Sequence, residues 1–191
     1  MAASCGVALE SEQQRAQELE EVSRLHEPYM REDLEVSRRV LGGEHPSTLI
    51  SIGNLGGLLR NQGKLTEAEP YLRETLEKSR RVLGDEHPDT LVSIGNMGVL
   101  LYSQGKLSEA EPFFREALEV SRRVLGDEHL DTSQQLRAHF EVLLDLERPD
   151  DARALLEDFL ATSSLPEDHE VRAEVRGMLS ELGAAAALEE E

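Results

Sequence analysis

Tryptophan is absent from this 191-residue sequence, aromatic residues make up 4% of it, and it holds one cysteine. So few rings leave a core to be filled by aliphatic side chains. The single thiol, Cys5, forms no intramolecular disulfide; with no histidine or basic neighbour to lower its pKa, it reads as an incidental thiol rather than a nucleophile. No stretch approaches the ~18 consecutive apolar residues of a membrane span. The opening "MAASCGVALE" has neither the basic start nor the apolar run of a secretory signal, so the expected location is cytoplasmic. Positive charge is also scarce, with 20 Lys+Arg against 39 Asp+Glu and a net charge of −19. The excess is uneven: residues 44–125 hold 10 basic and 12 acidic residues, whereas residues 126–191 hold 5 and 18, a net of −13. A field of that sign repels nucleic acid and anionic lipid, so neither is an expected partner. With 39% hydrophobic and 31% charged residues, the composition is that of a folded chain.

What is present is a repeat. "GEHPST" (43–48), "GDEHPDT" (84–90) and "GDEHLDT" (126–132) place His45, His87 and His129 at intervals of 42 residues. Between them, "HPSTLISIGNLGGLLRNQGKLTEAEPYLRETLEKSRRVLG" lies over "HPDTLVSIGNMGVLLYSQGKLSEAEPFFREALEVSRRVLG". A fixed period of 20–50 residues is the mark of a repeat architecture. In each unit Leu49, Ile52, Leu55, Leu58 and Leu59, or Leu91, Ile94, Met97, Leu100 and Leu101, recur at helical spacing and predict a helix A. Gly63 and Gly105 are placed to end it. Helix B is expected to start at "TEAE" or "SEAE", with Thr66 and Ser108 as N-caps, Glu69 and Glu111 completing capping boxes, and Pro70 and Pro112 in the first turn. It runs through Tyr71, Leu72, Leu76, Val82 and Leu83, with Arg80 and Arg81 favouring its carbonyl end. Small residues at Gly56, Gly98, Ala68 and Ala110 allow helices A and B to approach closely. A hairpin of this kind buries its apolar face by stacking on its neighbours.

The small residues on both helices, the "QGK" turn and the "EA" opening helix B resemble the tetratricopeptide repeat (TPR). The 42-residue period with its "RRVLG-EHP-TL" linker is similar to the TPR subtype of kinesin light chains and nephrocystin-3-like proteins. The resemblance implies an all-α, right-handed superhelical solenoid of antiparallel helix hairpins, with about three to four repeats and irregular ends. Residues 1–23 would be a polar cap helix or segment, and residues 24–163 the array. Its clear repeats span 44–83 and 86–125, and a degenerate one spans 128–163. Residues 164–183 would form a capping helix beginning near Pro166, and 184–191 an acidic, frayed helical extension. In the degenerate unit His139 and Phe140 replace Met97 and Gly98, so that helix pair must pack differently.

Candidate chemistry is thin. Repeat-related histidines stand at least one interaxial step of about 8–10 Å apart, too far to share an ion whose ligands lie ~2 Å away. Asp85, Glu86 and His87 read better as a linker than as a weak cation site: the acids favour the next helix N-terminus and Pro88 opens it. "IGNLGGLL" (52–59) has the glycines of a phosphate loop but neither G-x-G-x-x-G nor G-K-[ST]. No catalytic triad, HExxH or CxxC is present, so no enzyme, cofactor, metal or small-molecule substrate is expected.

In TPR architecture the A helices line the concave surface. The resemblance therefore implies a peptide-binding groove at Ile50, Gly53, Asn54, Gly57 and Arg60 in one unit and Val92, Gly95, Asn96, Val99 and Tyr102 in the next. Gln134, Arg137, Glu141 and Leu144 are their successors. Gly53 and Gly95, with no evident packing need, would open room for a ligand backbone that Asn54 and Asn96 could hydrogen-bond; Arg60 and Arg137 would select charge. The expected partner is a protein, bound as an extended peptide or a helix, and a kinesin-light-chain-like adaptor is one form of this. No sustained heptad precedes the repeats, and the groove is too poor in basic residues to carry over a preference for acidic cargo. The alternative is a scaffold that self-associates through its irregular ends.

Overall fold

The computed structural model describes the backbone of residues 25–189 and the side chains of residues 25–184. The segment expected as a polar cap, residues 1–23, lies outside the described residues. Among the described residues there are eight α-helices and no strand. They are α1 (25–41), α2 (Pro46–Asn61), α3 (Leu65–Leu83), α4 (Pro88–Ser103), α5 (Leu107–Val124), α6 (Leu130–Asp145), α7 (Pro149–Thr162) and α8 (Glu170–Glu189). The chain divides at Gly84 into two compact units, the first containing α1–α3 and the second α4–α8.

In the first unit the apolar stripe of α2 does what its spacing predicts: Leu49, Ile52, Leu55 and Leu59 are buried, facing Ala68, Leu72 and Leu76 of α3. Gly56 makes this approach possible, since a Cβ there would lie 2.7 Å from Leu72 Cδ2. Helix α1 buries Leu34 and is tied to α3 by ion pairs from Arg31 to Glu67 (3.1 Å) and Arg38 to Glu74 (2.6 Å). Exposed pairs of this kind contribute ~0–1 kcal/mol each, so α1 depends mainly on its apolar contact.

The second unit repeats the arrangement. Ile94, Met97, Leu100 and Leu101 of α4 pack against α5, where Ala110, Phe114 and Leu118 are buried. A Cβ at Gly98 would lie 3.2 Å from Phe113 Cβ and 3.3 Å from Phe114 Cζ. Helices α6 and α7 meet far less closely than α4 and α5. Phe140, in the place of Gly98, props that pair open and joins a cluster with Leu136, Leu143, Leu156, Phe159 and Val175.

Both kinds of joint are built from local hydrogen bonds. Where helix A turns into helix B, Gly63 N–H donates to Arg60 C=O (2.9 Å) and Lys64 N–H to Leu59 C=O (2.9 Å). This is the Schellman arrangement, which needs a left-handed residue at its centre. Gly63 (φ 74°) and Gly105 (φ 73°) supply it. In the degenerate unit Glu147 takes the same conformation (φ 56°) and the same bonds recur. The turn returns the chain to helical geometry at Leu65 and Leu107, and this overturns the expected capping boxes. Lys64 and Lys106 are the N-caps, neither capping the helix with its side chain, and Thr66 and Ser108 already lie inside the helix. Pro70 and Pro112 therefore sit within the helix rather than in its first turn, leaving the carbonyls four residues earlier without that donor.

Where helix B passes into the next helix A, the histidines act as N-caps. Nδ1 of His45, His87 and His129 accepts the N–H of Ser47 (3.2 Å), Asp89 (3.1 Å) and Asp131 (3.2 Å). Pro46 and Pro88 occupy the first helical position, where a missing N–H costs nothing. A fourth histidine does the same: His169 Nδ1 accepts from Val171 N–H at 3.2 Å, so α8 begins at Glu170 rather than near Pro166. The alanine-rich extension continues this helix to Glu189.

Candidate interaction face of the A helices

In the first unit, burying one stripe of α2 leaves the opposite stripe outward. Ile50 is 47% exposed, Asn54 is exposed, and a Cβ at Gly57 would meet nothing within 4 Å. Gly53 differs from expectation, because a Cβ there would come within 3.3 Å of Thr75 Cγ2 on α3. Its small size serves helix packing. Arg60 is half-buried, its Nε and Nη2 donating to Asn61 Oδ1 (3.3 and 3.2 Å), and burial pulls its pKa below the usual arginine value.

In the second unit α4, α6 and α8 contribute to one face. Val92 (62% exposed), Val99 (37%) and Tyr102 (39%) stand out from α4. Gly95 and Asn96 are half-buried, and a Cβ at Gly95 would sit 3.7 Å from Gln135 Nε2 on α6. Tyr102 donates its hydroxyl to Asp145 at the end of α6, a bond that raises the phenol pKa. Gln134, Arg137, Glu141 and Leu144 of α6 are exposed along the same stripe. Arg137 is committed to Glu174 of α8 through a charge-assisted hydrogen bond that raises its pKa.

Between α6 and α8 lies a cleft of about 310 Å³, lined by Arg137, Phe140, Glu141, Glu174, Gly177, Met178 and Glu181. The four residues from α8 escape a reading of the sequence that treats this helix only as a cover for the last hairpin. The clue was "EDHE" at 167–170, which puts His169 40 residues after His129 and gives α8 the start of another helix A.

Behind this face His139 is buried, with Nε2 3.1 Å from Glu111 Oε1 of α5. A carboxylate only accepts, so Nε2 carries the proton in the neutral ring, and the buried Nδ1 has no partner. Burial lowers the His139 pKa, with Glu111 acting in the opposite direction. Glu111, expected in a capping box, is thus engaged with α6. Among the described residues no group of three metal-ligating side chains occurs, and no helix is long and apolar enough to cross a membrane.

This architecture has known counterparts. A family model described as tetratricopeptide repeat matches residues 27–77, 51–123 and 96–164. A crystal structure of nearly identical TPR-like repeats from a Podosopora anserina protein, provisionally described as a kinesin light chain, superposes with a TM-score of 0.74. It is 20% identical, and the match covers 91% of this chain and 88% of that one. Its Q17M form gives 0.73 at 20% identity, covering 91% and 87%. BtubC (BKLC) from P. vanneervenii gives 0.72 at 20% identity, covering 90% and 69%. No curated protein matches the chain in sequence.

Proposed function

The chain belongs to the tetratricopeptide repeat family, and we propose that it is a non-enzymatic protein-interaction module taking an extended peptide or a partner helix on the outward faces of its A helices. One observation carries this reading. Val92, Val99, Tyr102 and Leu144 are exposed along helices whose opposite stripes are fully buried, so their apolar character does not serve the core. Peptide anchors would bury these side chains while Asn96 orients the ligand backbone in the second unit, and Asn54 would act in the same way on the outward face of the first. The likeness to proteins described as kinesin light chains favours an adaptor role.

A peptide-array screen, followed by fluorescence anisotropy on the purified chain, tests the reading. Val92→Asp/Val99→Asp should weaken any hit at least tenfold, and Asn54→Ala/Asn96→Ala by a smaller factor. Undiminished binding in the aspartate pair would remove this face as the site, and undiminished binding in the alanine pair would remove the asparagines from it.

A further inference from the structure

Resting on that reading, we propose that the cleft between α6 and α8 selects a basic peptide, with a Lys or Arg whose stem lies on Phe140 and Met178 and whose charged head sits between Glu141 and Glu181. The cleft's volume of about 310 Å³ is at the small end of ligand pockets, a size suited to one or two side chains. Its wall is open at Gly177, where a Cβ would meet nothing within 4 Å, which leaves space for a peptide backbone to pass.

Charge decides the occupant. Three carboxylates line the cleft against one guanidinium, and that guanidinium is bound to Glu174. Among the described residues Glu141 and Glu181 form no ion pair. An acidic ligand would have to break the Arg137–Glu174 pair, strand Glu174, and bring its own charge beside Glu141 and Glu181. A cation keeps the existing pair and meets two carboxylates outside any ion pair, of which Glu141 also feels the charge of Arg137. Lys and Arg suit the apolar floor as well, because their methylene stems cover apolar surface while the head stays at the polar rim. Residues 126–191, with their net charge of −13, would steer such a ligand from a distance and make its association salt-dependent.

The test uses three pools of equal-length peptides that share one apolar anchor and differ in flanking residues: Lys/Arg, Asp/Glu, or Ser/Gln. Titrated by anisotropy against the whole chain, the basic pool should bind at least tenfold tighter than the acidic pool and lose affinity as NaCl rises. Glu141→Lys/Glu181→Lys alters only exposed or rim positions, and circular dichroism checks that its helices remain. It should cut affinity for the basic pool at least tenfold and narrow or reverse the preference. Two results would overturn the cleft assignment while leaving the module reading intact. One is a preference for acidic or neutral pools. The other is unchanged basic-pool binding in the lysine pair while Val92→Asp/Val99→Asp abolishes it. Failure of every pool to bind would count against both.

Discussion

The hairpins α4–α5 and α6–α7 lie 42 residues apart in the same unit, and they differ in what they keep. Both begin with a histidine whose Nδ1 accepts from the residue two ahead, and both turn through the same pair of Schellman bonds. Yet Gly98 has become Phe140, Gly105 has become Glu147, and Pro88 has become Leu130. The joints tolerate these changes because their hydrogen bonds come from backbone and one side chain. The helix-to-helix contact does not: a close approach cannot survive a ring at its centre, so α6 gives up tight packing on α7. His139 instead reaches back to Glu111, and Phe140 fills the wider gap. The loosened hairpin is also the one that opens a cleft toward α8.

Transplanting the differences should break the regular hairpin and mend the irregular one. Gly98→Phe places a ring where even a Cβ is at 3.2 Å, and overpacking of this kind should cost about 3 kcal/mol, read as a lower urea midpoint. If the joints are equivalent, His87→Ala and His129→Ala should each cost ~1 kcal/mol for a lost N-cap; a smaller loss at His87 would mean that the fixed backbone of Pro88 holds the helix start in a way that Leu130 does not. Glu147→Gly should stabilise by about 0.5 kcal/mol, since relief of about 1–2 kcal/mol of left-handed strain is offset by the greater entropy glycine loses on folding. Thermal melts resolve that shift, and Gly105→Glu should move the other way.

The smallest effect concerns pH. Burial depresses the His139 pKa, so the unfolded chain takes up this proton first. Stability from the neutral ring is then complete above the ordinary histidine value of 6.5 and falls as pH drops below it. Glu111 opposes the shift, and Arg115 and Arg148 reinforce it. His139→Met, borrowing the residue that stands at 97, should flatten the difference in stability between pH 8 and pH 5 relative to the parent chain. An unchanged pH profile would show that His139 does not contribute.

Much of the fold was legible because its determinants are periodic. The buried stripe of α2, the close-approach glycines and the left-handed turn at Gly63 all follow from spacing and residue size. The features that escaped depend on geometry that spacing does not carry. Thr66 and Glu69 spell a capping box, but the Schellman turn sets the helix start one residue before that threonine. The histidine caps lie outside the usual Ser, Thr, Asp and Asn pattern. On the candidate face, the outward placement of Val92, Val99 and Tyr102 could be read from the repeat. The pairing of Arg137 with Glu174, 37 residues away in an element without a close repeat partner, could not. Gly53 shows the limit most plainly: a helical wheel puts it near the outer face, and only Thr75 on the neighbouring helix reveals what it spares.

The turn bonds, with their recurring six-residue span, also bear on how a chain like this grows. Each joint carries its own stop and start signals, in capping and turn bonds made between near neighbours in the chain. A copied stretch of 42 residues would therefore arrive with its grammar intact, reading as a complete clause wherever a helix B ends. Lengthening by duplication needs no simultaneous repair at the seams, and later drift can alter the helix contacts, as it has around Phe140, without losing the turns.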